Sequence, residues 1–160
     1  MQAVVLELQP GTGLGPLKFG ASREEARGAM AAIGFALESS HGNSDYFCEN
    51  SIQAEYDTAG RVMFIGVACD SAFVARYRGV DAFAVTAREL FQLAADADGS
   101  GRHEFDPLEY CFPNQVLTLW AADTQYDCRT RGTREVWGQV GLGNEVYVSA
   151  IKALDADPVP

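Results

Sequence analysis

Shifted by 64 residues, the sequence lies on itself without a gap from residue 15 to residue 56, and this offset constrains the fold more than any motif does. Gly15 meets Gly79, Phe19 meets Phe83, Ser22 meets Thr86 and Glu25 meets Glu89. The same register pairs Ala26, Ala29, Met30 and Ile33 with Leu90, Leu93, Ala94 and Ala97, then Asp45-Tyr46 with Glu109-Tyr110, Ile52 with Val116 and Tyr56 with Trp120. A constant offset that spans a helix, its cap and a strand predicts two diverged β-α-β-β repeats, about 15–67 and 79–140, related by a pseudo-twofold axis. The competing reading is chance, since short α+β segments reuse the same caps and turns.

Each half carries the same local chemistry. A short strand ends in Phe19 or Phe83, and Ser22-x-x-Glu25 or Thr86-x-x-Glu89 follows, the spacing that satisfies orphan amides at a helix start. The apolar positions that follow recur at helical spacing, so each helix needs a sheet or another helix to cover one face. Gly34 and Gly99 suit the helix ends. Strand-forming runs at 52–56 and 62–67 flank the turn Asp57-Thr-Ala-Gly60, and runs at 116–120 and 135–140 flank a polar insert with Arg129, Arg131 and Arg134. Residues 4–8 predict one more strand and residues 145–154 a closing helix. The expected class is α+β: one mixed or antiparallel sheet with helices packed largely on one face, a single domain over 1–154 and a frayed tail over 155–160.

Composition narrows the partners. At 160 residues the chain can bury a core without disulfides or metal. The start, Met1-Gln-Ala-Val-Val-Leu-Glu-Leu, has no basic region and is interrupted by Glu7, so it reads as a strand and not as an export signal. Cys48, Cys69, Cys111 and Cys128 are far apart and form no C-x-x-C pair, which predicts reduced thiols in a cytoplasmic protein. A net charge of −10 disfavours nucleic acid and anionic membrane as partners. Residues 81–127 hold nine acids against Arg88 and Arg102, whereas residues 15–80 hold six bases against eight acids. The two halves therefore share a scaffold but not a surface.

Chemical motifs are mostly incomplete. Gly11-Thr-Gly13-Leu-Gly15 has Pro16 where a dinucleotide loop needs glycine, so it reads as a turn between strands. Asp96-Ala-Asp98-Gly-Ser100-Gly101 copies the first half of a calcium loop, but Pro107 stands where the bidentate glutamate belongs. His41 and His103 have no metal-ligand neighbours at helical spacing, and triad motifs are absent. No cofactor, metal or catalytic residue is assigned. Cys48 and Cys111, each beside an aromatic residue, read first as small buried thiols and second as nucleophiles.

The stretch Gly13-Leu-Gly-Pro-Leu-Lys-Phe-Gly-Ala-Ser-Arg-Glu-Glu-Ala-Arg27 resembles the G-x-G-P-x-x-F-G-x-S-x-E-E-x-R opening of small acidic bacterial proteins, some of them immunity proteins of toxin systems. Glu55-Tyr-Asp57, Val62-x-Phe-Ile-Gly66, Tyr77-x-Gly-Val-Asp-x-Phe83, Tyr110-x-Phe-Pro113 and Leu119-Trp120 extend the resemblance. It implies a non-enzymatic protein-binding module that neutralises a basic toxin domain. The alternatives are a small hydrolase or ligand-binding enzyme with its site between the repeats, and a calcium-binding protein acting through the Asp96 loop. For the first reading, the expected partner-binding residues are Asp96, Asp98, Glu104, Asp106 and Glu109, with Trp120 or Trp137 as aromatic anchor.

Overall fold

The computed structural model describes residues 3–126 and 133–156. Strand β1 (Val4–Gln9) turns into a short hairpin, β2 (Gly13–Leu14) and β3 (Leu17–Lys18). Gly13 has a φ of 144°, and a Cβ there would stand 2.1 Å from the Leu17 carbonyl oxygen, so the turn requires glycine. Helix α1 (Arg23–Ala32) starts at Ser22 with the expected reciprocal cap. Ser22 Oγ accepts from the Glu25 N–H at 3.1 Å, and Glu25 Oε1 accepts from the Ser22 N–H at 3.1 Å. Four antiparallel strands follow: β4 (Ser39–His41), β5 (Ser44–Phe47), β6 (Ile52–Tyr56) and β7 (Val62–Val67). The Asp57 carboxylate closes the last turn by accepting from the Ala59 and Arg61 amides at 2.9 and 3.0 Å.

The second half begins with β8 (Phe73–Tyr77) and β9 (Val80–Asp81), then α2 (Ala87–Asp98). Thr86 caps α2 by accepting from the Glu89 N–H at 3.2 Å, and Gly99 ends it in the left-handed region at φ 65°. Strands β10 (Glu109–Phe112), β11 (Leu117–Tyr126) and β12 (Thr133–Gly143) form an antiparallel meander, and α3 (Glu145–Ala156) follows where a closing helix was expected.

The fold is α+β, but the expected single sheet is two. One has the order β3-β2-β1-β8-β9, the other β10-β11-β12-β7-β6-β5-β4. The strands before each helix do not join the meanders, although residues 20–22 at the start of α1 bridge to β7 through Gly20 and Ala21 backbone bonds with Val62. Instead β1 and β8 pair with each other in parallel, Val4 with Phe73 through Glu7 with Arg76, and build a separate layer. The meanders meet edge to edge where β7 pairs with β12, Val67 opposite Val140. Leu6, Phe73 and Tyr77 of the first sheet, Ile52, Ile65, Val140 and Leu142 of the second, Met30 of α1 and Leu90 and Ala94 of α2 share one buried cluster. Helix α3 lies on the opposite face of the large sheet. Its Tyr147 ring sits 4.8 Å from that of Phe64, which alternates with the inward-facing Ile65 and Val67.

The gapless offset also needs correction. Phe47 opposes Ile52 in the first meander and Phe112 opposes Leu117 in the second, an offset of 65 residues and not 64. A one-residue slip reverses the faces of a strand. Tyr56 is accordingly buried while Trp120 is exposed, and Ile52 lies in the core while Val116 occupies a turn with φ 50°.

Candidate functional site

The acidic residues of the second half divide into two kinds. Asp98, at the last turn of α2, is only 6% exposed. Its carboxylate accepts from the Gln115 N–H at 2.9 Å, Gln115 Nε2 at 3.0 Å, the Asn114 N–H at 3.3 Å and the Ser100 hydroxyl, while its carbonyl accepts from Asn114 Nδ2 at 2.8 Å. Burial pushes this carboxyl pKa up, and the bonds from Ser100, Gln115 and Asn114 outweigh burial and hold it below the ordinary value. Asp98 is thus an internal clamp joining α2 to the β10–β11 turn, and it is withdrawn from the expected partner surface. Trp137 is withdrawn as well: it is 1% exposed, and its Nε1 donates to the Ala87 carbonyl at 2.9 Å.

The remaining expected residues face solvent. Asp96, Glu104, Asp106 and Glu109 are exposed. Asp96 accepts from Gln92 Nε2 at 2.8 Å, and Asp106 accepts from the Leu108 N–H at 2.9 Å. Trp120 lies directly across the ladder from Glu109 and is 56% exposed. Leu108, one residue before Glu109, is 76% exposed. The β10–β11 ladder therefore exposes Trp120 opposite Glu109, and exposed Leu108, Asp106 and Asp123 lie within three residues of that pair along the chain. Asp127, Arg129 and Arg131, and the fourth thiol at Cys128, lie outside the described residues. Arg134 is turned inward, donating to the Phe83 carbonyl at 2.8 Å and also to that of Ala84.

Between α2 and β10, residues 99–108 are held by side chains. The Phe105 ring packs 5.5 Å from Phe91 and 5.7 Å from Trp137, with the Arg88 guanidinium 4.2 Å above Phe105. His103 joins a polar chain, its Nε2 2.7 Å from Ser100 Oγ and its Nδ1 bonded to the Tyr110 hydroxyl. Because the Ser100 proton is given to Asp98, its oxygen accepts from His103 Nε2–H. That direction is the reverse of what an imidazole base needs to activate a serine.

A second buried constellation was not anticipated. Asp45 on β5 is fully buried and takes a two-pronged ion pair from Arg27 of α1, 2.8 and 2.9 Å, and the Tyr56 hydroxyl at 2.8 Å. Arg23, one helical turn earlier, lies 3.8 Å from Asp45 and 4.7 Å from the Tyr56 ring centroid. Burial raises the Asp45 pKa, but the bonds from Arg27, Tyr56 and Ser40 bring it below the usual carboxylate value. The sequence signal was the i, i+4 spacing of Arg23 and Arg27, masked by the capping pattern that surrounds it. All these groups are paired with one another, so the cluster docks α1 onto the large sheet.

Cys48 is buried, and burial with the nearby Asp70 and Glu38 charges pushes its thiol to about 12. Cys111 is exposed, in contrast to the expected burial, with its pKa likewise raised. Neither environment favours a thiolate. A recess of about 320 Å³ between the Pro10-Gly11 turn and residues 114–116 and 143–145 is lined by Asn114, Gln115, Asn144 and Glu145, with no second acid or base to pair with Glu145. Among the described residues, no group of three or more His, Cys, Asp or Glu is placed to hold a metal ion. No described helix is long and apolar enough to cross a membrane. No known family, curated protein or solved structure matches the chain.

Proposed function

We propose that this chain is a non-enzymatic binding module that captures a basic protein partner, and that it acts in the cytoplasm as the immunity protein of a toxin system. The observation that carries this reading is exposed Trp120 directly across the ladder from Glu109, with exposed Leu108, Asp106 and Asp123 close by along the two strands. An apolar anchor inside a charged rim is the anatomy of a protein interface, and single-sign charge accelerates the capture of an oppositely charged partner. The net charge of −10 adds long-range attraction for a basic toxin domain. The resemblance of residues 13–27 to immunity proteins supplies the biological context. In the same reading the halves are diverged copies of one β-α-β-β unit, supported by a Ser or Thr cap at each helix start and by the shared β5-β6-β7 and β10-β11-β12 meanders, and the second copy has acquired the binding surface.

The test is co-expression with each basic protein encoded next to its gene that proves toxic when expressed alone; if none is toxic, the immunity reading fails. Growth should be rescued by the wild-type chain and lost with Trp120→Ala, while a soluble, folded Trp120→Ala protein still accumulates. Rescue that is indifferent to Trp120 and to the charges at 104, 106 and 109 counts against the surface. Absence of any complex with such a partner counts against the function.

A further inference from the structure

The large sheet ends on both sides, but its ends are not equivalent. In the first half, β4 lies along the outer edge of β5, pairing Ser39 with Tyr46 and His41 with Ser44. The corresponding stretch of the second half, residues 104–106, forms no strand. Phe105 draws it inward onto Phe91 and Trp137, and His103 onto Tyr110. Strand β10 consequently has one neighbour, β11, and among the described residues nothing pairs along its other edge.

The phase of the ladder identifies the open groups. The Ala121 N–H donates to the Leu108 carbonyl at 2.9 Å, so Glu109 and Trp120 form a non-hydrogen-bonded pair. By alternation Tyr110 and Phe112 bond to β11, and the backbone N–H and C=O groups of Glu109 and Cys111 point away from the sheet. Such an edge is a template for another strand. A second copy of this chain is a poor occupant, because it would bring Glu109 and its neighbouring carboxylates against themselves. The same charges suit a cationic segment.

Resting on the binding reading above, the geometry points to strand addition at β10: an extended basic segment of the partner pairs with Glu109 and Cys111 as an eighth strand of the large sheet. Its lysine or arginine side chains on the outer face reach Glu109 and the Trp120 ring, and its backbone supplies the two pairs of hydrogen bonds that β10 lacks.

The probe is a short synthetic peptide alternating lysine with valine, with a second version N-methylated at alternate residues. With the first, amide exchange at Glu109 and Cys111 should slow by at least about tenfold, and the methylated peptide should give no protection. Cys111→Pro removes an edge amide that the sheet does not use, and Glu109→Lys reverses the charge. Each should weaken binding by about tenfold or more while the thermal midpoint confirms folding. Protection elsewhere, equal binding of the methylated peptide, no saturable binding, or self-association that protects the same amides would overturn strand addition. If the toxin complex persists in Cys111→Pro with unchanged affinity, the strand inference fails and the immunity reading stands. If the wild-type chain binds no such toxin, that reading fails independently.

Discussion

Replacing Asp98 with alanine separates a structural acid from the surface acids that surround it. The substitution removes the shared acceptor of the Gln115 and Asn114 amides, of Gln115 Nε2 and of the Ser100 hydroxyl. Ser100 can turn to water, and Gln115 Nε2 keeps the Ala94 carbonyl at 3.0 Å. The Gln115 backbone amide has no such substitute, and a stranded, largely desolvated donor costs about 1–3 kcal/mol. The Asn114 bond is already long and that residue is exposed, so a total of about 2 kcal/mol is expected. Asp96→Ala, two residues earlier, loses only an exposed i, i+4 contact with Gln92 and should cost no more than about 0.5 kcal/mol. Urea unfolding at neutral pH measures both. The folded Asp98 pKa lies below its unfolded value, so its contribution is complete above about pH 4 and disappears as pH falls through the folded value. The difference between wild type and Asp98→Ala should therefore narrow in acid. Equal stability of the two proteins at pH 7, or a gap that widens in acid, would refute the clamp.

Arg27→Ala leaves the Asp45 carboxylate buried with the Tyr56 hydroxyl and a distant Arg23; about 3 kcal/mol should be lost in chemical denaturation, the low end for a broken buried pair because Arg27 itself is partly exposed. Gly13→Ala forces a Cβ against the Leu17 carbonyl at a positive φ, and a thermal scan should show a loss of about 3 kcal/mol or failure to fold, whereas Gly42→Ala, with open space around it, should cost about 1 kcal/mol. Trp137→Phe gives up the bond to the Ala87 carbonyl and part of the core volume, about 2 kcal/mol, while Trp120→Ala should change unfolding by less than about 0.5 kcal/mol.

Local chemistry was legible in the sequence wherever a few adjacent residues decide the outcome. Ser22-x-x-Glu25, Gly99, and Asp57 with Gly60 produced the caps and turns expected of them, Thr86-x-x-Glu89 formed only the Thr86 half of its box, and the glycine-rich stretch at 11–15 is a turn that runs into short strand β2. What failed was long-range pairing. The parallel contact of β1 with β8 joins segments about seventy residues apart and leaves no periodic trace in either, which is why one sheet was expected and two are present. The one-residue register change has the same origin: each hairpin sets its own phase, and an alignment blind to hydrogen bonding paired buried Tyr56 with exposed Trp120. Among the candidate site residues, Asp98 and Trp137 read like surface groups because composition gives only the kind of side chain. The donors that claim them, Gln115 for Asp98, and the acceptor at Ala87 for Trp137, come from other elements.

The most direct test of the proposed binding role is the association rate of the chain with a basic toxic protein whose activity it suppresses, followed by stopped flow across ionic strength. The comparison protein carries Asp96→Asn, Glu104→Gln, Asp106→Asn and Glu109→Gln together and leaves Asp98 intact to preserve the fold. The account predicts a rate at low salt reduced by about tenfold or more, with a flatter dependence on salt, and an unchanged unfolding midpoint. Identical rates and identical salt dependence in the two proteins would contradict it.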